Sequence, residues 1–302
     1  MSGLDQTLKE IERPKRALVL SGGGARGAYE VGVLKALKEQ GMEYDLAFGT
    51  SIGGINAAFY VQDKIQRVEE LWVSLKATDI FRFPNIEQIR NIIRGSRWGL
   101  FDTSPLEELL YREMELDKFK ASSTKVGFLT TDLCTLETRM ITTDDITSNK
   151  ELIDILMASS ALPILFPSRT LYGEGFWIDG GLVRNTPIQT AINMGAKEIH
   201  IVLVEAETDG VCPSNMMQVL ARCADILLYA SARDGIRLVH EYNKLVLSGQ
   251  FDDAEADIEP LIIKVFQPSD KVNTGILGID PLRSLRLIEQ GYFEAMSLLA
   301  LV

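Results

Sequence analysis

Histidine is scarce in this chain, with only His200 and His240 among 302 residues. Cysteine is nearly as rare. Cys134, Cys212 and Cys223 are too few and too scattered for a disulfide framework and form no C-x-x-C pair, so a reducing compartment, the cytoplasm, is the expected setting. Basic charge is short too: 31 Lys and Arg stand against 42 Asp and Glu, a net charge of −11. A nucleic-acid backbone would be repelled, which argues against a general nucleic-acid binder. No run approaches the roughly 18 uninterrupted apolar residues of a membrane span. The first fifteen residues hold Asp5, Lys9, Glu10, Glu12 and Arg13 and no apolar stretch, so no ordinary signal peptide is expected. Internal repeats and low-complexity blocks are absent.

What is present reads as a globular protein, with 46% hydrophobic and 24% charged residues. A chain of this length can bury a sizeable core. The stretch Asp45 to Phe59 is the most informative. Leu46 to Phe48 is a short apolar run with strand character, and Ile52 to Val61 has helix character. Between them, Gly49-Thr50-Ser51-Ile52-Gly53 fits G-x-S-x-G. A serine on a sharp strand-to-helix turn projects its hydroxyl away from the backbone, and the flanking glycines relieve the crowding. The helix that follows aims its amides and positive dipole end at the place where an oxyanion would form. A plain glycine turn is the simpler alternative for this spacing.

Arg16 to Leu20 predicts a buried strand and Gly27 to Gln40 a helix. Ser21-Gly22-Gly23-Gly24-Ala25-Arg26-Gly27 joins them, and its bare backbone amides can line an anion site. Gly22, Gly24 and Gly27 also match the G-x-G-x-x-G of a dinucleotide site, which would make this a nucleotide-binding oxidoreductase. That reading needs an acid at the end of the second strand. Asp45 instead precedes the second apolar run, and Gly49-Thr50-Ser51 stands where the acid belongs. A P-loop is excluded, for no G-K-[ST] follows.

Residues 62 to 123 are expected to be helix and loop. Within them, Ile80 to Phe101 carries Arg82, Arg90, Arg94 and Arg97 against Glu87 alone. Ile86, Ile89 and Ile93 recur at helical spacing beside these arginines, and Trp98, Leu100 and Phe101 follow. Such a helix either lies on an anionic lipid surface or packs its isoleucines on the core. Lys125 to Thr131 and Glu137 to Thr142 read as paired strands, and Glu151 to Ser160 as a short helix. Gly175 to Ile178 leads as a strand into Asp179-Gly180-Gly181, which can present a carboxylate into a cleft or form a turn.

Three motifs in this order resemble the patatin-like phospholipase family. Gly22 to Gly27 resembles its oxyanion loop, Gly49 to Gly53 its nucleophile elbow, and Asp179-Gly180-Gly181 its catalytic aspartate motif. Ala158-Ser159-Ser160-Ala161-Leu162-Pro163, Phe166-Pro167 and Arg184-Asn185-Thr186-Pro187 are similar to further segments of that family. The resemblance covers residues 16 to 205, with a looser likeness from Leu277 to Tyr292. It implies a three-layer α/β/α fold with a mostly parallel central sheet, a Ser-Asp dyad and hydrolysis of lipid acyl esters. The expected organisation is a catalytic domain over 16–207 with a helical extension, 208–302, packed on the same domain.

The expected site follows residue by residue. Ser51 is the nucleophile and Asp179 the base and acid, while Gly22, Gly23, Gly24, Arg26 and Ile52 make the oxyanion hole. No cofactor or metal is expected. The substrate is a phospholipid or lysophospholipid ester, reached with transient contact to a membrane surface. The histidines support the dyad, because His200 falls in an apolar strand and His240 in a helix, neither in a glycine-flanked loop. His240 as third member of an ordinary triad remains the alternative within the enzyme class, and a non-catalytic lipid-binding module the alternative outside it. Further on, Ser214 to Val246 reads as long helix with small breaks. Asp252 to Asp257 reads as a solvated acidic loop without a calcium register, and Leu261 to Phe266 as a strand. Asp280 caps a last helix that opens with Pro281.

Overall fold

The computed structural model describes residues 15–95, 99–204, 212–248, 259–269 and 275–301. Arg97, Trp98, the acidic loop from Asp252 to Asp257 and the first fourteen residues lie outside these. The chain opens with β1 (Arg16–Leu20), α1 (Gly27–Glu39), β2 (Leu46–Gly49), α2 (Ile52–Val61) and α3 (Ile65–Trp72). There follow α4 (Ile86–Ile93), α5 (Ser104–Glu113), α6 (Leu116–Ala121), β3 (Lys125–Asp132), β4 (Thr138–Thr142) and α7 (Asn149–Ser159). Two short strands, β5 (Arg169–Leu171) and β6 (Glu174–Asp179), lead into α8 (Gly181–Arg184), α9 (Ile188–Asn193) and β7 (Glu198–Val202). The described residues end with α10 (Met216–Leu247), β8 (Ile262–Phe266) and α11 (Pro281–Leu299). The elements expected from periodicity are present at nearly the expected bounds. The small breaks expected after Ser214 are not: α10 is one continuous helix. The three-residue strand β5 was not expected.

The strands form one sheet in the order β5-β6-β3-β2-β1-β7-β8, with β4 also paired to β3. β3, β2, β1, β7 and β8 run parallel, and β4 and β6 are antiparallel to β3. Apolar residues in the parallel strands occupy both faces, because helices cover both. Leu18 and Leu20 face a core shared with α1, α2, α3, α5, α7 and α11, whereas Ala17 and Val19 face α9 and α10. This is the three-layer α/β architecture. α11 closes against α1 at two glycines. A Cβ on Gly32 would lie 2.0 Å from the carbonyl oxygen of Ile288, and one on Gly291 2.2 Å from that of Tyr29. A side chain at either point would push the two helices apart.

The sheet's pairing also fixes the site. β4 occupies one edge of β3 over Gly127 to Thr131, so β2 and β6 must share the other edge. β2 runs parallel to β3 and ends with Gly49 opposite Phe128; β6 runs antiparallel and ends with Asp179 opposite Thr130. Two strands 130 positions apart in sequence therefore meet end to end across a gap of one β3 residue. Whatever follows Gly49 is delivered to whatever ends β6.

Candidate active site

The residue after Thr50 in that delivery is Ser51. Its backbone is held at φ 56°, ψ −129°, a left-handed setting that costs a non-glycine residue about 1–3 kcal/mol. The glycines make this turn possible by close approach. A Cβ on Gly49 would sit 2.4 Å from the Gly53 carbonyl, and one on Gly53 2.6 Å from the Ser21 carbonyl. The turn is pinned from β3 as well. The Ser159 hydroxyl accepts the Ser51 amide at 3.1 Å and donates to the Leu129 carbonyl at 2.8 Å.

Asp179 is buried at the end of β6. Its Oδ1 accepts the Gly181 amide at 2.8 Å, and the Ser51 side chain lies beside the carboxyl. Burial dominates its electrostatics and pushes the carboxyl up to about 7, against the opposing pull of the Gly181 amide and the Ser51 hydroxyl. An aspartate of ordinary acidity is a poor proton acceptor for a serine. This one has a proton affinity suited to neutral pH.

The glycine loop lies beside the serine. Gly24 has φ +58°, and a Cβ there would stand 2.2 Å from the Ile276 carbonyl, which accepts the neighbouring Ala25 amide at 2.8 Å. Among the described residues, no partner is recorded for the amides of Gly23, Gly24 or Ile52. Gly22 departs from expectation. Its amide donates to Oδ1 of Asn185 at 2.7 Å, so it holds the loop in place and is not a free oxyanion donor. The Arg26 guanidinium pairs with Asp225 of α10 at 2.8 Å, which ties the loop's far end to the opposite layer.

An apolar cavity opens at Ser51 and Ile52 and runs between α2, α3 and α5, past Phe59, Leu71, Trp72 and Leu110. Beneath it, Asn56 donates to the Gly27 carbonyl and to Oε2 of Glu30, and accepts from the Trp72 indole. Burial holds the Glu30 carboxyl well above the usual carboxylate range. Through Asn56 this carboxyl links α1 to α2.

The histidines sit apart from this arrangement. His200 is buried in β7, two strands from β2, with burial pushing it down to about 4. Its Nε2 donates to Glu198 at 2.9 Å, which leaves Nδ1 to accept the Tyr44 hydroxyl at 2.6 Å. His240 lies on the exposed side of α10. Asp45 accepts the Arg16 amide at 2.7 Å, at the N-terminal end of β1 and β2 and away from the glycine loop. It cannot serve a ribose bound at that loop.

Sequence reasoning assigned no role to Asn185 or Ser159. Both fall in segments quoted above for the family resemblance, which was the only signal for them. α4 also differs from the core-packed alternative. None of its residues is buried, and Ile86 and Ile93 are 73% and 80% exposed.

A family model described as patatin-like phospholipase matches residues 18–192. Human patatin-like phospholipase domain-containing protein 6 is 29% identical over 201 residues, covering 64% of this chain and 14% of that protein. A cGAMP-activated phospholipase from Escherichia coli (strain TW11681) is 30% identical over 197 residues, covering 59% of this chain and 55% of that one. The probable lipid hydrolase 463L of Invertebrate iridescent virus 6 is 28% identical, with 62% and 67% covered. The chain thus spans a small part of the long animal relative and about half of the bacterial one. Among solved structures, VipD from Legionella pneumophila superposes with a TM-score of 0.51 at 15% identity, over 95% of this chain and 67% of that one. That likeness is one of fold.

Proposed function

The chain belongs to the patatin-like phospholipase family, and from that premise we propose that it is a serine acyl-ester hydrolase releasing fatty acids from phospholipids or lysophospholipids through a Ser51–Asp179 dyad. The observation that carries this reading is the meeting of Ser51 with the buried Asp179 carboxyl, which burial pushes up to about 7, at the mouth of an apolar cavity. Ser51 Oγ attacks the ester carbonyl carbon and its proton passes to Asp179. The oxyanion forms against the amides of Gly23, Gly24 and Ile52, at the positive end of α2. Collapse breaks the ester C–O bond, and Asp179 returns the proton to the departing alcohol. Water then attacks the acyl-serine, gives its proton to Asp179, and releases the fatty acid as the serine is restored. No step draws on a cofactor.

The apolar cavity suits an acyl chain, since its lining gains most from covering hydrocarbon. Approach to the lipid falls to α4, whose exposed isoleucines stand with Phe83, Arg90 and Arg94 for contact with an anionic surface. No helix among the described residues is long and apolar enough to cross a membrane. Three exposed free thiols suit the reducing cytoplasm, with peripheral contact to a membrane there.

Labelling with an alkyl fluorophosphonate tests the reading. Mass spectrometry should find the adduct on Ser51 alone, and the labelled protein should lose turnover of p-nitrophenyl butyrate. A protein that binds vesicles but leaves both this ester and lipid esters intact would be a lipid-binding module instead.

A further inference from the structure

The segment from Ala161 to Phe166 stands between two apolar hollows, and the mechanism uses one of them. On one side Phe166 closes the cavity that opens at Ser51. Phe166 also lines a second hollow, with Leu133, Pro163, Ile164, Phe176 and Ile178. Its rim is costly to keep in water: Leu133 and Phe176 are exposed, and Ile164 is 62% exposed. Ile164 also has φ 71°, a conformation that β-branched residues rarely adopt. It is fixed there by the Leu100 amide, which donates to the Ile164 carbonyl at 2.8 Å, and by the Phe101 amide, which donates to the Leu165 carbonyl at 2.8 Å.

We propose that this second hollow receives the second acyl chain of a diacyl phospholipid while the chain being cleaved fills the cavity at Ser51. The proposal rests on the hydrolase reading and sharpens its substrate class. The leaving alcohol must depart beside the carboxyl that reprotonates it, which is Asp179. The Asp179 amide donates to the Ala161 carbonyl at 3.1 Å, which holds the 161–166 segment against the end of β6; Phe176 and Ile178, on the face of β6 opposite to Asp179, line the hollow beyond that segment. The glycerol and the chain it still carries leave the cavity at Ser51 past the 161–166 segment, where Phe166 is the wall it shares with the second hollow. Among the described residues lining it none is charged, so a phosphate head group gains nothing there, whereas methylenes cover its apolar walls. The two chains would straddle Phe166, the wall common to both hollows.

The test compares kcat/KM on dipalmitoyl phosphatidylcholine and on 1-palmitoyl lysophosphatidylcholine. Both are presented at equal mole fraction in the same detergent micelles, so that surface docking is equal. Wild type should favour the diacyl lipid. Ile164→Asn, which suits the left-handed backbone, and Leu133→Asp, at an exposed turn, should each lower the diacyl-to-lyso ratio about tenfold. A ratio unchanged within about twofold in both variants overturns the second-chain site, as does wild-type cleavage of the lysophospholipid alone; in both cases the hydrolase reading survives. Failure on both lipids and on soluble esters overturns the hydrolase reading and this one with it.

Discussion

Asn185 holds Gly22 from both sides: its Oδ1 accepts the Gly22 amide at 2.7 Å, and its Nδ2 donates to the Gly22 carbonyl at 3.1 Å. The Asn185 amide in turn donates to the Ser231 hydroxyl on α10 at 2.8 Å. A Cβ on Gly22 would fall 2.6 Å from Oδ1 of Asn185, so the glycine is what lets this clamp close. The clamp joins the loop after β1 to the segment that follows Asp179 and α8. Asn185→Ala should therefore loosen the loop without touching substrate. On a soluble ester, kcat should fall roughly ten- to a hundredfold with KM nearly constant. That is less than the hundred- to thousandfold typical of removing an oxyanion donor outright. A bulky residue at Gly23 or Gly24 should reach the larger figure. If KM carries the effect in either case, the loop binds a substrate head group instead.

The proposed base, Asp179, is pushed by burial up to about 7. Only ionised Asp179 can take the serine proton, so kcat/KM should rise tenfold per pH unit up to about 7 and level off above it. Asp179→Asn should be nearly inactive, as should Ser51→Ala.

The same burial gives a stability prediction of opposite sign to the activity. The folded carboxyl, at about 7, holds its proton more tightly than the unfolded one near 3.8. Stability therefore falls as pH rises from about 4 to 7, and above that the buried charge costs on the order of 4 kcal/mol. Asp179→Asn should melt higher than wild type at pH 9 and show no such gain at pH 3. An equal gain at both pH values would place the effect in packing.

The proposed dyad leaves both histidines out of turnover. His240→Gln should leave activity within about twofold. His200→Gln removes a ring bonded to Tyr44 and Glu198; it should cost about 1–3 kcal/mol of stability and leave the folded fraction active. Loss of turnover in well-folded His240→Gln would replace the dyad by an ordinary triad.

At the lipid surface, α4 offers two separable contributions. Arg90→Glu with Arg94→Glu should weaken binding to vesicles containing phosphatidylglycerol at least tenfold, more at low salt than at high. Ile86→Ser with Ile93→Ser should weaken binding to neutral vesicles as well. Both pairs should preserve activity on soluble esters. Unchanged vesicle binding in both would mean that α4 does not meet the membrane.

By itself the sequence determined the local chemistry. A strand, a G-x-S-x-G turn and a helix leave little freedom for Ser51, because glycines are needed wherever the backbone crowds itself. Short apolar runs and helical spacing marked most elements for the same reason: they report contacts within a few residues. Tertiary structure decided what depends on distant partners. Ser51 meets Asp179 because β2 and β6 end against each other along β3, a register that no short stretch encodes. Asn185 and Ser159 act across 163 and 108 residues, so neither carries a local signature of its role. The spacing in α4 marked an apolar face, but only packing determines whether such a face meets core or solvent. Burial does the same for Asp179: its residue type gives an ordinary acid, and the dry end of a strand raises its proton affinity.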